Sequence, residues 1–184
     1  GLPLKSWHIP QGDCLIKTTE VDIVRGKELL KGMGLGTGKK LVVIQPGSGG
    51  LHKCWHLDNF LAIAEKLNSE GIEVIFLLGP AELDRFNSSE IKKIDNIAKY
   101  VRDLPLEQVL EILSQANAFI GNDSGITHVA AGLGIRTLAV FGPTNPRTYK
   151  PIGPDVIVFA DNTADFVKEP SARLQNELLD VLMA

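Results

Sequence analysis

The stretch AFIGNDSGITHVAAGLGIRTLAVF, residues 118–141, decides how this chain is organised. An apolar run, Ala118-Phe119-Ile120, enters Gly121-Asn122-Asp123-Ser124-Gly125. A small-residue segment follows, and a second apolar run, Thr137 to Phe141, closes the unit. Short apolar runs bounded by turn residues read as buried strands, and the segment between them, Ser124 to Gly134, predicts a helix. Strand, helix and strand in that order imply a right-handed crossover and a parallel sheet. The turn carries the chemistry. Ser124 suits a helix cap and Asp123 suits the positive helix end, and neither needs a ligand. Gly125 is a poor helix former inside the first turn, and it fits an anion seated against bare backbone. His128 lies one turn in, where the dipole disfavours its cation. Two readings stand: a capped helix with a hydrogen-bonded histidine, the commoner role for such a residue, or an anion site at a helix N-terminus.

The same alternation continues on either side. Strands are expected at residues 41–45, 72–78, 97–101 and 156–159. Helices are expected at 57–67, 81–93, 106–114 and 170–183. Phe60, Leu61, Ala64 and Leu67 line one helix face; Leu106, Val109, Leu110 and Leu113 another; Leu174, Leu178, Val181 and Leu182 a third. Residues 1–19, with Pro3, Pro10 and Gly12, read as linker. Val21 to Met33 reads as a short helix with Val24, Leu29 and Leu30 apolar, and Gly32, Gly34, Gly36 and Gly38 as a joint. The expected fold is α/β, a Rossmann-like doubly wound parallel sheet over residues 40–184, preceded by a linker and connecting helix over 1–39. Sheets of this kind bind ligands at the carboxyl ends of their strands. PGSGGLHK, GPAEL, GNDSG and FGPTNP all fall at such ends.

Composition narrows the function classes. With 184 residues, 44% hydrophobic and 22% charged, the chain suits one globular domain with a sizeable core. A net charge of −3 without a long basic run argues against nucleic acid or an anionic membrane as the main partner. The apolar runs fall well short of the ~20 residues of a membrane helix. The first ten residues lack the pattern of a signal peptide. Cys14 and Cys54 form no metal-binding pair, so a cytoplasmic protein with reduced thiols is expected. The absence of an initiator methionine suggests a piece of something longer.

In Pro46-Gly47-Ser48-Gly49-Gly50-Leu51-His52-Lys53, glycines let backbone N–H groups approach a phosphate and a lysine adds charge. The P-loop pattern fails, because His52 and Cys54 flank Lys53; the dinucleotide pattern fails, because His52 occupies the place of its third glycine. A turn with a surface lysine, adding little to stability, is the competing reading.

Together, IQPGSGGLHKCWHLDNFLAIAEKL, FLLGPAELDRF and LPLEQVLEILSQANAFIGNDSGITHVAAGLGIRTLAVFGPTNP resemble the C-terminal half of glycosyltransferase family 9, the ADP-heptose:lipopolysaccharide heptosyltransferases. The resemblance spans roughly residues 20–183, and the segment TTEVDIVRGKELLKGMGLG is similar to the family's interdomain helix. His56 departs from it, standing where the family usually has proline.

The resemblance implies a GT-B fold of two Rossmann-like domains, of which this chain is the donor-binding one. It implies that Ser48, Gly49 and Lys53 bind diphosphate, that Glu82 binds the ribose hydroxyls and that Leu104 lies by the adenine. Asp123, Ser124 and Gly125 correspond to the loop that holds diphosphate and sugar, and His128 to the family's histidine. The donor is then ADP-heptose or a related nucleotide sugar, and the acceptor is the lipopolysaccharide core, reached through the other half. The catalytic base lies outside this chain, and no metal or other cofactor takes part. The full-length protein works in the cytoplasm, at the inner face of the inner membrane. Chemistry supports these roles unequally. Lys53 and helix N–H groups suit a leaving diphosphate. Glu82 suits two hydroxyls, although an exposed glutamate at a helix start is common. Asp123 is awkward beside phosphate and better suits a sugar hydroxyl or fixes the loop. Trp55 reads as core, and Leu104 and Leu106 as core or adenine wall. A nucleotide-binding module, or a transferase or epimerase using another nucleotide sugar, remains the alternative.

Overall fold

The computed structural model describes residues 14–36, 38–161, 163 and 165–183. Most of the linker expected over residues 1–19 lies outside them; within them, α1 (Glu20–Gly32) starts at a capping box in which Thr19 and Asp22 satisfy each other's backbone N–H. The sheet then builds from β1 (Leu41–Gln45), β2 (Glu73–Leu78), β3 (Lys99–Arg102), β4 (Ala118–Asn122), β5 (Arg136–Phe141) and β6 (Val156–Ala160). All pairings are parallel and the order is β3-β2-β1-β4-β5-β6, so the sheet is the Rossmann-like doubly wound kind. The order reverses between β1 and β4, and that is where the crevice opens.

Alternate residues face opposite layers. Val42, Ile44, Val74, Phe76 and Ile120 pack under α2 (Leu57–Ser69), α4 (Ser88–Ile97) and α8 (Ala172–Met183). Val43, Ile75, Leu77 and Phe119 pack under α1, α5 (Leu106–Leu113) and α6 (Gly125–Gly132). Trp55 is core, as its reading predicts, set edge-on to Phe60.

Several expectations need correcting. The single helix over 81–93 is two: α3 (Pro80–Leu83) stops, and Asn87 caps α4 through a capping box with Glu90. A side chain that caps one helix cannot sit comfortably in the middle of another, which is why the segment breaks there. Leu106 and Val24 do not join the core; both are more than half exposed. Val181 and Leu182 are half-buried at the end of α8. Two short pieces carry no periodic signal: a 3-10 turn at Leu51–Lys53 and α7 (Pro146–Tyr149). His56, out of place beside the family pattern, serves as the N-cap of α2, its Nδ1 accepting from Asp58 N.

Candidate functional site

Three loops meet where the strand order reverses. The first, residues 46–55, leaves β1. Its carbonyl at Pro46 accepts from Asn122 Nδ2 at 2.7 Å, and its Trp55 N–H donates to Asn122 Oδ1 at 2.9 Å. Asn122 is fully buried and uses both ends of its amide. It therefore clamps the whole loop across the end of β4. Ser48 is also buried, and its hydroxyl donates to the Asp123 carbonyl at 2.6 Å. That bond uses the one proton of the Ser48 hydroxyl. Gly49, beside it, is exposed, and a Cβ there would meet nothing.

The second loop turns from β4 into α6. Ser124 caps the helix, accepting from Thr127 N at 3.3 Å while its hydroxyl donates to Gln45 Oε1 at 2.7 Å. The N–H groups of Gly125 and Ile126 have no partner among the described residues, as helix starts require of some donors. Gly125 is exposed, its φ lies outside the left-handed region, and a Cβ would find open space. Lys53 reaches this loop: its Nζ pairs with Asp123 Oδ2 at 3.0 Å, with the aspartate side chain 7% exposed and the lysine 29%. Lys53 is thus no free surface lysine. It supplies the counter-charge of a nearly buried carboxylate. Its ammonium lies 5.8 Å from the ring centre of Tyr149. His128 is exposed, with no side-chain hydrogen bond among the described residues, so the hydrogen-bonded reading of that histidine fails.

The third loop follows β2. Glu82 is 1% exposed, contrary to the surface glutamate that the competing reading requires. Its Oε2 accepts from Gly79 N at 2.9 Å and its Oε1 from Gln45 Nε2 at 3.2 Å. A Cβ on Gly47 would strike this carboxylate, so glycine there is what lets the first loop lie against it. Burial pushes the Glu82 carboxyl above its ordinary value, against the opposing pull of its hydrogen bonds. Gln45, the last residue of β1, therefore links Glu82 to Ser124, one hydrogen-bonded line from the third loop to the second.

Beside this line lies a cleft of about 220 Å³ walled by Leu77, Val101, Leu104, Leu106 and Ile126, with Gln45, Gly79 and Glu82 as its polar side. Asp103, with φ of 43°, makes the tight turn after β3 that precedes Leu104. The exposure of Leu106 is explained here, since it stands on the rim of the cleft. All nine residues expected from the sequence are therefore distributed over these three loops, α6 and the cleft. Sequence reasoning missed Gln45, Asn122 as a clamp, and Arg85. The guanidinium of Arg85 donates to the Ser48 carbonyl at 2.6 Å and the Gly49 carbonyl at 3.0 Å. Among the described residues, no three His, Cys, Asp or Glu side chains gather as a metal site, and no helix is long and apolar enough to cross a membrane.

The model of glycosyltransferase family 9 (heptosyltransferase) matches residues 16–175. Lipopolysaccharide heptosyltransferase 3 of Escherichia coli is 28% identical over 127 residues, which cover 67% of this chain and 37% of that protein. Lipooligosaccharide heptosyltransferase 2 of Campylobacter jejuni is 34% identical over 116 residues, 60% of this chain and 36% of that protein. The chain thus spans little more than a third of the length of these relatives. Among solved structures, E. coli ADP-heptose lipopolysaccharide heptosyltransferase II superposes with a TM-score of 0.71 at 20% identity, over 91% of this chain and 53% of that one. The family 9 glycosyltransferase of Veillonella parvula superposes at 0.70 with 24% identity, over 79% and 42%.

Proposed function

The chain belongs to glycosyltransferase family 9, and from that membership we propose that it is the donor-binding half of an inverting transferase that moves heptose from ADP-heptose to the lipopolysaccharide core. The observation that carries this reading is the juxtaposition at the β1/β4 crevice. A cradle of Lys53 and free helix N–H groups adjoins an apolar cleft with a buried carboxylate on its polar side. The first suits a diphosphate and the second a nucleoside.

In this reading the adenine lies against Leu104 and Leu106, and Glu82 accepts from the ribose hydroxyls. The diphosphate lies between Gly49, Lys53 and the N–H groups of Gly125 and Ile126. An acceptor hydroxyl attacks the anomeric carbon from the face opposite the diphosphate; the carbon–oxygen bond to phosphate breaks with inversion, and ADP leaves. The hydroxyl proton goes to a base on the other half of the protein. The charge that grows on the leaving diphosphate is met by Lys53 and by N–H groups already in place. Lys53 turns from Asp123 to phosphate, and Asp123 then accepts from a sugar hydroxyl, as His128 at the rim also can. Residues 1–39 form the connection to the other half, with α1 as the interdomain helix. The whole enzyme acts in the cytoplasm, at the inner face of the inner membrane, where its glycolipid acceptor is held.

Thermal unfolding with nucleotides tests the reading. ADP at a hundredfold excess over its Kd stabilises a binding protein by about 2.7 kcal/mol, a rise of roughly 5–10 °C for a chain of this size. That rise is expected with ADP and not with UDP. A rise with UDP alone points to another nucleotide sugar, and no rise with either removes the site.

Lys53→Ala is expected to weaken ADP binding by about 1.5–3 kcal/mol, the scale of a charge-assisted hydrogen bond. It also strips Asp123 of its partner, so a loss of about 1–3 kcal/mol of stability accompanies it, unlike the neutral effect expected of a loop lysine. Calorimetry showing unchanged ADP affinity would remove Lys53 from the site.

Glu82 makes binding and stability depend on pH. Its folded pKa lies above its unfolded one, so between the two values the folded chain binds more protons than the unfolded chain. Stability contributed by the neutral carboxyl is present below the ordinary carboxylate pKa and is lost as pH rises through the raised value. ADP, whose ribose hydroxyls donate to the carboxylate, should bind more weakly as pH falls through that same window. Glu82→Gln should flatten both trends, lower affinity for ADP, and matter less for 2′-deoxy-ADP. Equal losses for the two nucleotides would show that Glu82 does not hold the ribose.

A further inference from the structure

The first loop has a partner that the ligand-facing residues do not account for. Arg85, in the segment between α3 and α4, is half-buried, and its Nη1 and Nη2 donate to two successive carbonyls, those of Ser48 and Gly49. A planar trans peptide points its N–H opposite its C=O. Holding the Ser48 and Gly49 carbonyls toward Arg85 therefore turns the N–H groups of Gly49 and Gly50 the other way. Neither N–H has a partner among the described residues. The loop's other flank is fastened by the Ser48 hydroxyl to the Asp123 carbonyl, on the side where Lys53 meets Asp123. Two successive free N–H groups aimed one way form an anion-binding concavity. The guanidinium also removes from that concavity two carbonyl dipoles that would repel phosphate.

We propose that Arg85 is a positioning residue for the diphosphate: it fixes the peptide planes at 48–50 so that the N–H groups of Gly49 and Gly50 face the phosphates, without itself touching the nucleotide. The inference rests on the donor-binding reading above. A fork of two donors in one plane is what arginine has and lysine lacks, so the role separates the two residues. Arg85 lies three residues beyond Glu82, so one short segment sets both the ribose acceptor and the phosphate loop.

The test measures ADP and adenosine affinity by calorimetry for the unchanged chain, Arg85→Ala and Arg85→Lys, with amide hydrogen exchange over the first loop. The expected result is a loss of tenfold or more in ADP affinity for Arg85→Ala, with adenosine changed less than twofold and faster exchange at residues 47–50. Arg85→Lys keeps the charge and the packing of the stem, and should still lose ADP preferentially. It decides the matter if the alanine variant does not fold. Equal losses for ADP and adenosine, or unchanged ADP affinity in Arg85→Lys, overturn the role of Arg85 while leaving the site intact. Failure of the unchanged chain to bind ADP overturns the donor-binding reading and this inference with it.

Discussion

Asn122→Ala is expected to lower the stability of the chain by about 3 kcal/mol, the sum of two buried backbone groups left without partners. The Trp55 N–H and the Pro46 carbonyl each lose their side-chain bond, at 2.9 and 2.7 Å. For a chain of this length the melting temperature should fall by roughly 6–12 °C. The loop from 46 to 55 should loosen at the same time, because both ends of the clamp are gone. Asn122→Asp is informative beside it. The acid still accepts from Trp55 but faces the Pro46 carbonyl with an oxygen, so it should lose about as much. Urea unfolding reads both, and a midpoint within error of the unchanged chain would show that the clamp carries no weight.

Gly125→Ala is expected to do the reverse: to keep or slightly raise stability while removing nucleotide binding. Alanine is the better helix former by up to about 1 kcal/mol. The site for its methyl is open, and the backbone angle suits it. The open space that welcomes the methyl is the space assigned to the phosphate, so ADP affinity should fall by two orders of magnitude or more, about 2.7 kcal/mol. Ser124→Ala gives the contrast, with a stability loss of about 0.5–2 kcal/mol from the lost cap. An alanine variant at 125 that binds ADP as well as its parent would leave the turn as an ordinary helix start.

How far the sequence could be read varies with the kind of signal. The junction at residues 118–141 was legible because two apolar runs, a capping serine and a misplaced glycine all lie within one short stretch. That the sheet is parallel and doubly wound followed from alternation and the handedness of crossovers, whereas its strand order did not. Lys53, Glu82 and Asp123 were legible as residue types near strand ends, but their pairings were not. The lysine and aspartate are 70 residues apart, and nothing local says that they meet. Glu82 sits in a polar segment with no period to mark it as buried; its burial comes from Gly47 and Gln45 closing over it from another loop. Arg85 escaped for the same reason, since one arginine in a polar helix pattern looks like solvent-facing charge. The break before α4 was missed because Asn87 and Glu90 act as a cap only through side-chain geometry.

The Lys53–Asp123 pair makes this part of the crevice nearly neutral. A bare lysine among free N–H groups would attract any passing anion, inorganic phosphate included. Here an incoming anion must first compete with an internal carboxylate held at 3.0 Å. A small ion brings only its charge to that exchange. A nucleotide sugar brings a base for the cleft, hydroxyls for Glu82, and a sugar that gives Asp123 a new donor in place of the lysine. On the donor-binding reading the carboxylate acts as a filter, admitting ligands that engage the whole crevice and turning away those that offer charge alone.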